Sequence, residues 1–249
     1  MSIKKYSNQD ISPKDDAQKV FQVLKNGGIA IIPSNVGYGI VATDPKALRR
    51  IFNAKNRQPH KRHAMIGSHN LHKAIHHISA REAEMVSRLT FDLDLTVGVV
   101  ASYHPDHSVI KKIPQDLLEQ SSVEGTMAML VNGGKLQEEL SKLATNAELP
   151  LLGSSANLTG TATKVTVEEI EPEIKAAADI IIDYGRQKYS HPRSSSTMIN
   201  FNDLRVLRFG ACYEVIQDVF SRFYGIHLPD DPGRDVLFSG HLTRSRDVN

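Results

Sequence analysis

Cysteine is almost missing from this chain: Cys212 stands alone among 249 residues. A single thiol excludes an internal disulfide framework and fits a reducing compartment, so the expected location is the cytoplasm. Long apolar runs are missing too. None approaches the roughly 18 residues of a membrane span, and Met1 to Asp10 lacks the apolar centre of a secretory signal, so no membrane partner is expected. Excess charge of one sign is also absent. Lys and Arg number 30 against 28 Asp and Glu, and a formal net charge of +2 is too small to argue by itself for nucleic acid, although basic residues can still cluster locally. No internal repeat or low-complexity block appears. What remains is a chain long enough for a substantial core, suited to one large α/β domain or to one domain with an appendage, and its patterning divides it into an N-terminal segment (1–14), a domain (15–224) and an irregular tail (225–249).

Hydrophobic patterning divides the domain. Asp15 to Asn26 carries Val20, Phe21, Val23 and Leu24 and is closed by Gly27-Gly28, which predicts a helix. Ile29 to Ile32 predicts a buried strand ended by Pro33, and Ser34 to Gly39 a glycine-flanked turn before a second apolar step, Ile40 to Ala42. Asp44-Pro45 opens a helix over Lys46 to Lys55. Further strands are expected at Ala64 to Ile66, Leu95 to Ala101, Thr126 to Val131, Ala178 to Asp183 and Met198-Ile199. Helices are expected at Leu71 to Ile78, Arg81 to Leu89, Leu136 to Ala144, Tyr213 to Phe223, and starting at Thr166.

Two stretches carry chemistry. In Leu149-Pro150-Leu151-Leu152-Gly153-Ser154-Ser155-Ala156-Asn157-Leu158-Thr159-Gly160 an apolar run breaks into small polar residues. It reads as a buried strand delivering a tight loop to a sheet edge. Hydroxyls of Ser154, Ser155 and Thr159 and the amide of Asn157 suit a phosphate or ribose, and an ordinary Ser/Asn/Gly turn would have the same composition. The second stretch, Lys55 to His63, holds Lys55, Arg57, Lys61 and Arg62 around Pro59, so the cations either converge on a polyphosphate or line a solvated loop. It follows a strand-turn-helix unit, where α/β folds place ligands. His69, His72, His76 and His77 share a predicted helix, with His72 and His76 on one face. Without a carboxylate or cysteine beside them they read as groups titrating in solvent, and no metal site is assigned.

Ile32-Pro33 to Gly39, Lys55-x-Arg57-x-x-x-Lys61 and Ser154-Ser155-Ala156-Asn157-Leu158-Thr159-Gly160, in that order, resemble the YrdC/Sua5 family of threonylcarbamoyl-AMP synthases. Ser195-Ser196-Thr197 and Leu207-Arg208-Phe209-Gly210 resemble that family's closing motifs, so the likeness covers roughly residues 15 to 220. The resemblance implies an α/β fold with a twisted mixed sheet and helices around a concave basic cavity. It implies ATP, bicarbonate and L-threonine or another amino acceptor as substrates, with Mg²⁺ on the leaving pyrophosphate, and a product that feeds tRNA modification. Carried over by position, Lys55, Arg57 and Lys61 would neutralise phosphates, with Lys55 and Arg57 exposed in the cavity. Ser154, Ser155, Asn157, Ser195, Ser196 and Arg208 would hold the nucleotide, and Ser34, Tyr38 and Thr96 the other substrate. The reaction needs no nucleophilic side chain, since a carbamate oxygen attacks the α-phosphate and the protein supplies orientation and charge.

The sequence departs from the family at Pro33-Ser34-Asn35-Val36-Gly37-Tyr38-Gly39, which loses a carboxylate and a hydroxyl, at Asp92-Leu93-Asp94, and at Met129-Leu130-Val131-Asn132, which lacks an arginine. Phosphate-side cations survive while positions at the amino-acid end do not. This fits an adenylate-forming enzyme with an altered acceptor. It also fits a regulatory module that binds nucleotide or RNA without turnover.

Overall fold

The computed structural model describes residues 2–5, 11–55, 62–192 and 194–233. Strand β1 (Ser2–Lys5) is followed by helix α1 (Pro13–Lys25), whose buried Ala17, Val20, Phe21 and Leu24 form one stripe. β2 (Ala30–Ser34) and β3 (Gly37–Ala42) form an antiparallel hairpin around Asn35 and Val36, with Ser34 opposite Gly37. Pro33 therefore lies inside the strand. The parallel neighbour of β2 reaches only Ala30 and Ile31, so the N–H that proline lacks is not needed on that side.

α2 (Pro45–Ala54) begins where the Asp44 carboxylate accepts from Lys46 N and Ala47 N at 2.8 and 3.0 Å. β4 (Ala64–Ile66) and α3 (His69–Ile75) follow, the latter capped by Ser68 Oγ accepting from Leu71 N. The helix expected through Ile78 stops at Ile75. His76 turns extended and pairs with Tyr103, forming β5 (His76–His77). α4 (Ala80–Ser87) widens into a π turn over Arg88–Asp92, beyond the helix end expected at Leu89.

β6 (Val97–Tyr103), α5 (Ser108–Lys111), α6 (Gln115–Ser121), β7 (Ser122–Val123) and β8 (Thr126–Val131) complete the middle of the chain. α7 (Lys135–Asn146) leads to β9 (Leu152–Ser155). No helix starts at Thr166. Glu169 accepts there from the backbone N–H of Val165 and Thr166 and closes a turn, and α8 (Pro172–Ala177) begins only at the proline. β10 (Ile180–Asp183), β11 (Thr197–Asn200), β12 (Arg205–Arg208) and α9 (Tyr213–Tyr224) finish the fold.

Among the described residues the strands form one mixed, 12-stranded sheet in the order β1-β10-β2-β3-β9-β4-β8-β6-β11-β12, with β5 on β6 and β7 on β8. β9 thus lies in the middle of the sheet between β3 and β4, not at an edge. The N-terminal strand pairs in parallel with β10, so that segment is part of the sheet.

The two faces of the sheet are covered unequally. One packs Ile31, Tyr38, Ile40, Met65 and Met129 against Leu48 and Ile51 of α2, Leu71 and Ile75 of α3, Ile174 of α8 and Ile216 and Phe220 of α9 in the main core. On the other, Ile32, Val41 and Ile66 pack under Val20 and Leu24 of α1 and Leu136 and Leu140 of α7. Farther across that second face lies only a small cluster of Val100, Ala128 and Met198, with Ala64 and Leu207 at its margin. The part of the sheet beyond α1 and α7 is the floor of a concavity. Beyond α9 the tail packs onto the domain as far as described: Leu228 is buried and the Tyr213 hydroxyl donates to Pro229 O.

Candidate functional site

The concavity is a cavity of about 360 Å³. Alternation along the strands puts Gly37 and Gly39 of β3, Gly153 and Ser155 of β9, Ala64 of β4, Ala128 of β8 and Gly98 of β6 on its floor. These side chains are small or absent, and that makes the space. At Gly39 a Cβ would meet only Ser154 O at 3.5 Å and Val41 Cγ1 at 4.0 Å, so the room above it is open. At Gly153 a Cβ would come within 2.5 Å of Ile40 O, so that glycine is required by close strand packing.

One wall is cationic. Arg208, at the end of β12, donates from Nη2 to Ser195 Oγ at 3.0 Å and Ser196 Oγ at 2.9 Å, and from Nε to Ser196 O at 2.8 Å. No carboxylate pairs with it among the described residues, and burial lowers its pKa to about 10, so the guanidinium remains a cation at neutral pH. Arg62 and His63 also line the cavity, as does Lys55. Among the described lining residues none is Asp or Glu.

The opposite wall is the segment from Ser155 to Thr163. Lys55, expected to be exposed, is only 2% exposed, and its ammonium donates to the backbone carbonyls of Ser155 and Asn157. It lies under the loop and fixes it. Asn157 is buried as well: its Nδ2 donates to Leu158 O and Thr161 O, both at 2.8 Å, while its Oδ1 has no hydrogen-bond partner among the described residues. Ser155 sits on the cavity face of β9. Ser154 points the other way, and its buried hydroxyl has no partner among the described residues.

The remaining expected positions separate. Ser34 lines the cavity with its hydroxyl donating to Gly37 O at 2.7 Å. Tyr38 contributes backbone to the lining, but its ring lies in the main core. Its hydroxyl is engaged by Gly185 O at 2.7 Å, Asp183 Oδ1 at 3.1 Å and Tyr184 N, and burial followed by the Asp183 charge pushes its pKa well up. Thr96 is outside the lining. It is buried and donates to Asn132 O at 2.5 Å, holding the turn after β8. Arg57 and Lys61 lie outside the described residues. Gln137 and Thr161 line the cavity without having been expected there. The legible signal was small residues at alternate positions of several strands.

The histidines are not a solvent-facing row. His72 and His76 are buried, 1% and 4% exposed, with Nδ1 atoms 2.8 Å apart. His76 Nε2 lies 3.2 Å from Met127 O, which requires a proton there, so His72 Nδ1 donates to His76 Nδ1. Burial first, then neighbouring positive groups for His72, lowers the pKa values to about 3 for His72 and about 4 for His76. Among the described residues no group of three or more His, Cys, Asp or Glu is arranged to hold a metal.

The family model Sua5/YciO/YrdC, described as "Telomere recombination", matches residues 22–210, and the chain belongs to this family. A "Putative threonylcarbamoyl-AMP synthase" of Methanocaldococcus jannaschii is 26% identical over 204 residues, covering 78% of this chain and 86% of that protein. Among solved structures, P. abyssi Sua5 complexed with L-threonine matches with a TM-score of 0.66 at 19% identity over 91% of this chain. The match covers 61% of that chain, so this protein spans less than two thirds of that Sua5. A hypothetical protein from Streptococcus mutans matches with a TM-score of 0.70 at 21% identity, covering 92% and 97% of the two chains. These structures share the fold. At the level of the family, function is related to that of threonylcarbamoyl-AMP synthases, which are transferases. No helix among the described residues is long and apolar enough to cross a membrane.

Proposed function

We propose that the cavity binds ATP and the carbamate of an amino acid, L-threonine or a related acceptor, and joins them as a carbamoyl-adenylate. The observation that carries this reading is Arg208, a cation held on Ser195 and Ser196 in the wall of a cavity with no carboxylate among its described lining residues. Such a wall favours phosphate and carboxylate groups. The amine and bicarbonate condense to a carbamate with loss of water. A carbamate oxygen then attacks the α-phosphorus as the bond to the bridging oxygen breaks, and pyrophosphate leaves with the electron pair. No side chain forms a bond in this sequence. The protein's work is to align the carbamate and neutralise the departing charge.

Arg208 and Arg62, with Arg57 and Lys61 by family position, serve the phosphates. Ser155, Asn157, Ser195 and Ser196 orient nucleotide and carbamate, and Ser34 stands beside the acceptor. A protein-held Mg²⁺ does not fit the described lining residues, because the donor set is hydroxyls, amides and cations with no carboxylate. Mg²⁺ carried on the phosphates of ATP and on water would need no carboxylate from the wall, and the cations would share the pyrophosphate charge with it. The product would supply tRNA threonylcarbamoyladenosine formation in the cytoplasm.

A second reading, a nucleotide- or RNA-binding module without turnover, is favoured by Lys55, whose ammonium is engaged by two loop carbonyls. Equilibrium binding separates the readings. Binding of ATP strengthened by L-threonine and bicarbonate supports synthesis. RNA binding that weakens steeply with salt, without any effect of threonine on ATP, supports the module. Failure to bind ATP overturns synthesis, and failure to bind either ATP or RNA overturns both.

A further inference from the structure

The cavity wall from Ser155 to Thr163 is held from behind by one carboxylate. Glu171 accepts from Leu158 N at 3.3 Å, from Thr161 Oγ1 at 3.1 Å and from Lys164 Nζ at 2.8 Å. It gathers both ends of the wall, because Lys164 O in turn accepts from Tyr38 N of β3 at 2.9 Å. Glu171 itself does not line the cavity. It is the N-cap residue of α8, yet its side chain makes no bond to that helix and turns back to the loop. The helix anchors it, since Ile174 is fully buried in the main core. The Lys164 and Glu171 side chains are 18% and 17% exposed, sheltered enough for the pair to persist.

Between these ties the loop has conformational room at one residue. Gly160 has φ +90° with nothing within 4 Å of a Cβ, and Thr159, Gly160 and Thr161 all face the cavity. Lys55 holds Ser155 and Asn157 through its ammonium and Thr159 through its backbone carbonyl, which accepts from Thr159 N at 3.2 Å, while the rest of the wall is tied to the fold through Glu171 and Lys164.

We infer that Glu171 is a positioning residue, which sets nucleotide affinity by fixing the Leu158–Lys164 wall against the cavity. This rests on the nucleotide reading above. A residue acting in this way changes binding through loop order, while the sheet stays as it is.

The test uses Glu171→Gln in the full chain, which keeps size and one acceptor oxygen but removes the charge. Two readouts are taken: ATP affinity by calorimetry and amide hydrogen exchange at Leu158. The expected result is an ATP Kd raised about tenfold, the size of a lost charge-assisted hydrogen bond, with faster Leu158 exchange and unchanged exchange at Ile31 and Ile40. An ATP Kd within twofold of the native value, or unchanged Leu158 exchange, overturns the inference. Equal acceleration at Ile31 and Ile40 also overturns it, because Glu171 would then be a general stability residue. If Glu171→Gln does not fold, Lys164→Met cuts only the ion pair and is expected to raise the Kd about threefold with the same local exchange, an unchanged Kd again overturning the inference. Native protein that does not bind ATP defeats the nucleotide reading, and exchange at Leu158 then decides whether Glu171 holds the loop.

Discussion

Arg208 bonds Ser196 twice, from Nη2 to the hydroxyl at 2.9 Å and from Nε to the carbonyl at 2.8 Å. One guanidinium thus fixes side chain and backbone where the chain enters β11, and it does so without a carboxylate to cancel its charge among the described residues. A cation left in this state beside a cavity has its field available for an anion. Arg208→Lys keeps the charge but not the planar fork, and Arg208→Ala removes both. Pyrophosphate release is expected to fall about tenfold in the first and about a hundredfold in the second, measured at saturating threonine.

Lys55 is expected to behave as a structural residue as much as a catalytic one. Lys55→Met takes the charged donor from the carbonyls of Ser155 and Asn157, and since Ser155 O keeps Asn157 N at 3.0 Å, the cost falls chiefly on the buried Asn157 carbonyl, about 1–3 kcal/mol. Thermal unfolding should therefore show a lowered midpoint for this variant. A midpoint equal to the native one would mean that the ammonium is not holding the loop.

Gly39 tests the cavity without touching a polar group. Its Cβ position is open toward the cavity, with Ser154 O at 3.5 Å as its nearest neighbour. Gly39→Leu is expected to fill the floor and lower ATP affinity at least about tenfold while leaving the unfolding midpoint within a few degrees, as for substitutions that create no core strain. Calorimetry and thermal melting check the two halves.

The buried imidazole pair predicts acid sensitivity. His72 and His76 have folded values of about 3 and about 4, both below the ordinary 6.5. Above about pH 6.5 both are neutral in either state and their packing is fully stabilising. As pH falls below that value the unfolded chain takes up protons that the folded one refuses. Stability is therefore lost progressively from about pH 6.5 downward, toward the low folded values of the pair, which titrates as one coupled unit. Denaturant midpoints for native protein and His76→Gln across this range should converge as the pH drops. Lys73 and His69, which also lower the His72 value, share that environment.

Much of the fold was legible. β2, β3, β8 and β10 follow from short apolar runs, and α2 from Asp44-Pro45, because those signals are local. What the sequence concealed depends on long-range pairing. β9 is central because β3 and β4 both add to it, and nothing within Leu152–Ser155 states this. His76 leaves its helix because Tyr103 offers a partner strand, and Thr166 begins no helix because Glu169 closes a turn first. Of the candidate site, Ser155, Asn157, Ser195, Ser196, Ser34 and Arg208 converge on one cavity. Thr96 and the ring of Tyr38 do not, since a residue type cannot disclose which face of a strand it occupies or which carbonyl claims its hydroxyl. Glu171 was invisible because it acts on a loop through three contacts, one of them to a backbone N–H.

The most direct test of the account is pyrophosphate release from ATP and bicarbonate, run with L-threonine and with a panel of other amino acids and small amines, with mass spectrometry of the adenylate formed. Release is expected to require both bicarbonate and an amine and to yield a product of the mass of a carbamoyl-adenylate. No release with any amine, from folded protein that binds ATP, would contradict it.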